Sequence, residues 1–183
     1  MKPISLGSEP LLLDHVIEVG LGLRAVEISP QEAARISQVR DGIEAFLHED
    51  SPNVYGVNTG FGALAEVRVP SADLARLQRN LIRSHATGIG QPFPESVTRA
   101  IMLLRANVLM LGTSGTRPEI PRLLVDMLNR GIHPYIPEKG SVGASGDLAP
   151  LAHLALVLIG EGEAFFEGEL MPGGQALARA GLA

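Results

Sequence analysis

The chain has 183 residues, 45% apolar and 19% charged, with a net charge of −5 and no cysteine. One domain of that size buries about 70% of its unfolded surface, and the composition excludes a disordered chain. It also excludes disulfides and cysteine-based zinc sites, and the lack of a basic run argues against nucleic acid and anionic membrane as partners.

In chain order, Ala25 to Ile28 reads as a short strand. Ser29-Pro30-Gln31-Glu32 is a helix start: serine as N-cap, proline at the first helical position, glutamate three residues after the cap. Ile36, Val39, Ile43, Phe46 and Leu47 follow at helical spacing. A Gly-rich loop carries Tyr55 to Gly62. A second helix is expected from about Ser71 to Ala86, with Leu74, Leu77, Leu81 and His85 on one stripe and Gly88 and Gly90 stopping it. A third, from Pro94 to Leu111, is apolar on most sides and so expects burial in a larger bundle. Thr116-Arg117-Pro118-Glu119 should cap a fourth helix, which Gly131 ends. Asp147 should cap a fifth from Leu148 to Ile159, with Pro150 tolerated in its first turn. Ala164 to Met171 suits a small hairpin around Glu167-Gly168, and Pro172 to Ala183 begins another helix or loop.

The fold class is therefore mainly α, with short strands. Two helices carry more apolar surface than a lone small domain needs, so a portion of a larger helical protein is expected. The alternative is a complete small domain whose surplus apolar faces form an oligomer interface. The N-terminus lacks a signal-type apolar core, and the Leu148–Ile159 stretch is too short to span a bilayer. A soluble cytoplasmic protein, with no membrane partner, is expected.

Residues 140–150 read Gly-Ser-Val-Gly-Ala-Ser-Gly-Asp-Leu-Ala-Pro. Ala144-Ser145-Gly146 are three small residues in a turn that precedes a helix. If the backbone folds back, the Gly146 nitrogen can attack the Ala144 carbonyl carbon. Ring closure with loss of the Ala144 carbonyl oxygen as one water, and loss of the Ser145 hydroxyl as a second, leave a methylidene-imidazolone, an electrophile made from the chain itself. Small residues allow that close approach and its unusual dihedrals. Read without the rest of the chain, the same run is a Gly-rich helix-entry turn.

Two further segments accompany it: Tyr55-Gly56-Val57-Asn58-Thr59-Gly60-Phe61-Gly62 and Ser84-His85-Ala86-Thr87-Gly88-Ile89-Gly90. Together with Lys139 to His153, they resemble the tyrosine loop, the substrate-selectivity segment and the prosthetic-group segment of the histidine and aromatic amino-acid ammonia-lyase family. The resemblance covers essentially the whole chain and shows no departure in the third segment. It implies the helical N-terminal portion of an ammonia-lyase (fumarase/aspartase-like) fold over residues 1–183, with the C-terminal helical part absent.

The resemblance also implies a chemistry. An ammonia-lyase removes a weakly acidic β-proton from an amino acid and expels a poor leaving group, and a covalent electrophile eases both. Ala144, Ser145 and Gly146 would supply 4-methylidene-imidazol-5-one, formed autocatalytically. Tyr55 would be the proton-abstracting base, although read by itself it is an aromatic plug in a mobile loop. His85 alone reads as a satisfied core histidine. In the family, Ser-His at positions 84 and 85 is typical of histidine lyases, whereas tyrosine and phenylalanine lyases carry His-Leu and Phe-Leu. Ser84 and His85 are thus expected to bind a histidine substrate, imidazole to imidazole.

The implied reaction is elimination of ammonia from L-histidine to give urocanate, in a homotetramer whose sites combine several subunits. A lyase for tyrosine or phenylalanine, and a non-catalytic fragment or assembly subunit, are the alternatives. His133 and His153 read as structural, and no His spacing suits a metal. A Ser145–His153–Asp147 hydrolase triad is disfavoured because Gly-x-Ser-x-Gly is missing.

Overall fold

The computed structural model describes residues 1–45, 48 and 50–182. The expected positions Phe46 and Leu47 lie outside the described residues.

Strands β1 (Ile4–Leu6) and β2 (Val26–Ile28) pair in parallel. Parallel strands need a crossover, and helix α1 (Leu13–Gly20) provides it. The sequence reading had β2 one residue longer and had neither β1 nor α1. Three residues of strand carry too little periodicity to register. The free edge of β2 is closed by a side chain: Asn129 Oδ1 accepts from Val26 N at 3.0 Å, and Asn129 Nδ2 donates to Val26 O at 2.8 Å. An amide thus takes the place of a neighbouring strand.

Helix α2 (Pro30–Glu44) starts as expected, with Ser29 Oγ accepting from Glu32 N at 3.2 Å. Glu32 does not complete a capping box. Its carboxylate takes the Arg35 guanidinium at 2.8 Å instead. Helix α3 (Ser71–His85) runs between a loop and strand β3 (Ile89–Pro92), which pairs antiparallel with β5 (Pro137–Lys139). The glycines expected only to stop α3 therefore also open a strand.

Helix α4 (Glu95–Met110) is buried along one face, through Met102, Leu103, Ala106, Leu109 and Met110, and not all round as its composition suggested. It packs between α1 and α5 (Glu119–Arg130). Gly131 ends α5 in the left-handed region, at φ 74°. Thr116 does not cap α5: Pro118 holds the N-cap position with no side-chain hydrogen bond, because the Thr116 hydroxyl turns to the Arg117 carbonyl at 3.5 Å.

After β4 (His133–Pro134) and β5, helix α6 (Leu148–Leu158) leads into the hairpin of β6 (Glu163–Phe166) and β7 (Glu169–Pro172). Glu167 and Gly168 turn it at φ 53° and 80°, the two positive values that a two-residue hairpin turn demands. β4 adds to its β6 edge, and α7 (Gly173–Arg179) closes the chain segment described.

The core lies among α1, α4, α5 and α6, where Met102, Leu103, Leu124, Met127, Leu128, Ile132 and Val157 are fully buried. Each such side chain stabilises the fold by about 1.5–3 kcal/mol. Arg99 crosses this core on α4. Its guanidinium donates to Val19 O at 2.8 Å, to Leu128 O at 3.0 Å and to His133 Nε2 at 3.1 Å. It thereby joins the ends of α1 and α5 to β4. No described helix is long and apolar enough to cross a membrane.

Candidate active site

Three segments converge on α3. The first, the loop of Tyr55 to Gly62, is held from inside. Buried Asn58 accepts from Val54 N at 2.7 Å and donates to Ser51 Oγ at 3.2 Å and Pro52 O at 2.9 Å. Arg68 grips the carbonyls of Ser51 and His48 from the other side. Gly56 sits at φ 73°, where an added Cβ would meet the Phe61 ring at 3.3 Å. Tyr55 is thus carried on a stiff loop. Its ring stands edge-on to Phe61, with centroids 5.7 Å apart, and is 65% exposed. Gln78 on α3 donates to Gly56 O at 3.2 Å and anchors the loop to the helix.

The second segment is the end of α3. His85 Nδ1 lies 2.8 Å from the Leu81 carbonyl. A carbonyl can only accept, so Nδ1 is the donor to it, and in the neutral ring Nε2 is then the acceptor. Among the described residues Nε2 has no hydrogen-bond partner. The Ser84 hydroxyl also donates to Leu81 O, at 2.9 Å, and stands 3.1 Å from His85 Nδ1.

The third segment is Gly140 to Asp147. A 3₁₀ turn over Gly143–Ser145 leads to Gly146 at φ 85°. Gly146 N donates to Gly143 O at 3.2 Å, and Ser145 Oγ donates to Val142 O at 2.7 Å. Nothing lies within 4 Å of a Cβ built on Gly143 or Gly146, so the turn has room to move. Ring closure requires the Gly146 nitrogen to leave the Gly143 carbonyl oxygen for the Ala144 carbonyl carbon, a shift of one peptide unit.

Asp147 corrects the sequence reading. It occupies the N-cap position of α6, but at φ 59° and with no side-chain cap. Its carboxylate accepts from the Ser141 hydroxyl instead. That contact ties the two ends of the tripeptide loop together and leaves the first amides of α6 open.

The second and third segments are locked to each other. Gly88 N donates to His153 Nε2 on α6 at 3.1 Å. A Cβ on Gly140, at φ 151°, would lie 3.0 Å from Gly88 Cα. β3 and β5 continue the join, with Ile89 opposite Lys139. No hydrogen bond joins Tyr55 to residues 144–146 among the described residues. The Tyr55 loop is tied to α3, and α3 packs against α6, which follows the turn.

Residues 11–183 match the profile of the aromatic amino acid lyase family. The chain belongs to this family. It is 54% identical over 179 residues to the histidine ammonia-lyase of Stigmatella aurantiaca, covering 98% of this chain and 35% of that protein. The histidine ammonia-lyase of Anaeromyxobacter dehalogenans is 53% identical over 189 residues, covering 100% and 37%. Among solved structures, histidine ammonia-lyase from Trypanosoma cruzi superposes with a TM-score of 0.88 at 35% identity, over all of this chain and 35% of that one. Ergothionase from Treponema denticola gives 0.93 at 36% identity, over 99% and 36%. The chain thus spans about a third of the length of the curated relatives it matches. The expected helical lyase fold is the observed one.

His153 and His133 have other partners. His153 Nε2 is taken by Gly88, and Ser145 and Asp147 are engaged elsewhere, so these three form no hydrolytic triad. His133 Nε2 accepts from Arg99 and lies 3.5 Å from Glu95 Oε1; burial holds its pKa low. Sequence reasoning missed Gln78, Arg68 and the pairing of Gly88 with Gly140. Asn58 was inside a quoted motif, but its burial and its three hydrogen bonds emerge only in the fold.

Proposed function

We propose that this chain carries the electrophile-bearing and imidazole-recognising part of a histidine ammonia-lyase, which converts L-histidine to urocanate and ammonia. The observation that carries the reading is the join, through Gly88, Gly140 and His153, between the segment that follows Ser84–His85 and the segments that flank the Ala144–Gly146 turn. The histidine ammonia-lyases among its relatives support the choice of substrate.

The residues present fit the prosthetic group: a turn of small residues, exposed, with open space at both glycines. Ala144, Ser145 and Gly146 would hold it, and when formed it supplies an electrophile that activates the amino acid for loss of its amine. Around it, His85 Nε2, an acceptor in the neutral ring that donates through Nδ1, takes the imidazole N–H of the substrate. A phenyl ring offers no such donor, so this acceptor discriminates against it. The open amides of Leu148 and Ala149 and the dipole of α6 favour negative charge that develops beside the turn. Tyr55, held outward by its loop, receives the β-proton once its hydroxyl is deprotonated. The stiffness of the Asn58–Arg68 frame fixes where that oxygen stands. The rest of the site, including the group that holds the substrate carboxylate, would come from lyase sequence this chain does not span and from other subunits of a cytoplasmic tetramer.

The test joins residues 1–183 to the remainder of a lyase and assays histidine, tyrosine and phenylalanine. Urocanate formation with histidine preferred is expected. Ser145→Ala should fold normally and lose most turnover, by about 10³-fold or more. Its intact mass should lack the loss of two waters. Preference for tyrosine or phenylalanine would overturn the substrate, and near-normal turnover of Ser145→Ala would overturn the electrophile.

A further inference from the structure

The face of α4 turned away from the core is itself apolar. Val97, Ile101, Leu104, Val108 and Leu111 recur at alternating steps of four and three residues, the spacing of a helix–helix seam. Leu104, Val108 and Leu111 are 47%, 44% and 57% exposed. The seam floors a groove of about 320 Å³ whose far wall is Pro150 and Leu151 of α6. Arg105 lines the same groove. It is half-buried, desolvation pulls its pKa down, and no hydrogen bond or ion pair satisfies it among the described residues. Asp147 also borders the groove, but its carboxylate is held by Ser141. A half-buried guanidinium beside an apolar seam calls for a carboxylate brought in with whatever covers the seam.

We propose that the outer face of α4 seats a helix from lyase sequence outside residues 1–183, which lays an apolar stripe along Val97–Leu111 and sets a carboxylate against Arg105. A second copy of α4 fits less well. Laid antiparallel about Leu104, it would bring the two Arg105 guanidiniums together. The acidic residue of α4, Glu95, sits at the far N-terminal end. The relatives supply the source of the occupant, since about two thirds of their length lies outside the match. The proposal rests on family membership and not on the histidine reading, so it stands or falls separately from the substrate.

The experiment co-expresses this chain with the unmatched remainder of the Stigmatella aurantiaca histidine ammonia-lyase and follows complex formation by co-purification and sedimentation. The two should purify together. Leu104→Asp and Val108→Asp should each weaken the complex by about tenfold or more, while Leu170→Asp on the hairpin, away from the seam, should not. Circular dichroism checks that each variant folds. In the Arg105→Lys complex, a carboxyl-to-amine coupling reagent should link position 105 to an Asp or Glu of the remainder. A wild-type chain that leaves the remainder behind would overturn the proposal. So would a homodimer abolished by Leu104→Asp, or a link from position 105 to Asp147 or to a second copy.

Discussion

Gly140 and His153 show how much of this site depends on single atoms. Replacing Gly140 with alanine would strain a residue at φ 151° and drive a methyl against the Gly88 backbone, which cannot rotate away. Gly140→Ala is expected to destabilise the chain by about 1–3 kcal/mol in urea unfolding. His153 carries a different dependence. Burial holds its pKa below the ordinary range, and Gly88 N–H is hydrogen-bonded to Nε2. The folded state therefore keeps the ring neutral where the unfolded chain takes up a proton. Its contribution to stability is complete above the unfolded value of about 6.5 and is lost as pH falls through the folded value. Gln at this position retains an acceptor and does not titrate. His153→Gln should lose less stability than wild type between pH 8 and pH 5 in parallel urea titrations. His133, lowered in the same direction, should keep some acid sensitivity in both. A wild-type loss no larger than that of the variant would refute the assignment. Neither residue's role was legible in the sequence. His153 and Gly88 are 65 positions apart, and their contact is a product of the tertiary fold.

At the scale of elements, the longer helices announced themselves, while α1 and every short strand outside β2 and the β6–β7 hairpin did not. Ser29-Pro30 and Gly131 are local chemistry, and the structure uses both as read. β1, β3, β4 and β5 have two to four residues each, too few for a period to emerge, and they exist because helices place them side by side. Thr116 and Asp147 were misread for one reason: a hydroxyl or carboxylate near a helix start has competing partners, here the Arg117 carbonyl and the Ser141 hydroxyl. Arg99 was not singled out at all, although it joins three elements. Arg99→Leu would remove the buried side-chain donor that Val19 O, Leu128 O and His133 Nε2 share, leaving the two carbonyls only the backbone N–H groups of Gly22 and Gly131. A loss of about 2–4 kcal/mol is expected, measured by the denaturation midpoint. Arg83→Ala, which removes an exposed pair with Glu161, should leave that midpoint nearly unchanged.

For the molecule as a whole, the three motifs were legible as words and their arrangement was not. The segment that follows His85 is joined at Gly88 to Gly140 and His153, which flank the Ala144–Gly146 turn in sequence, whereas the Tyr55 loop is tied to α3 by Gln78. This incompleteness leads to an expectation for residues 1–183 alone. The Gly140–Asp147 loop is exposed throughout, so little surrounds it to compress the turn. The isolated chain should show its full unmodified mass and produce no urocanate; a mass lower by two waters would show that it cyclises unaided. The Gly88–Gly140 crossing has a last consequence, for anyone recombining lyases. Two backbones in contact, one end of each tied to β3 or β5, leave no slack for insertions or deletions between Ser84 and Pro92 or between Pro137 and Gly140. A selectivity segment moved from one lyase to another must therefore travel as a cassette with its partner strand and the histidine that clasps Gly88.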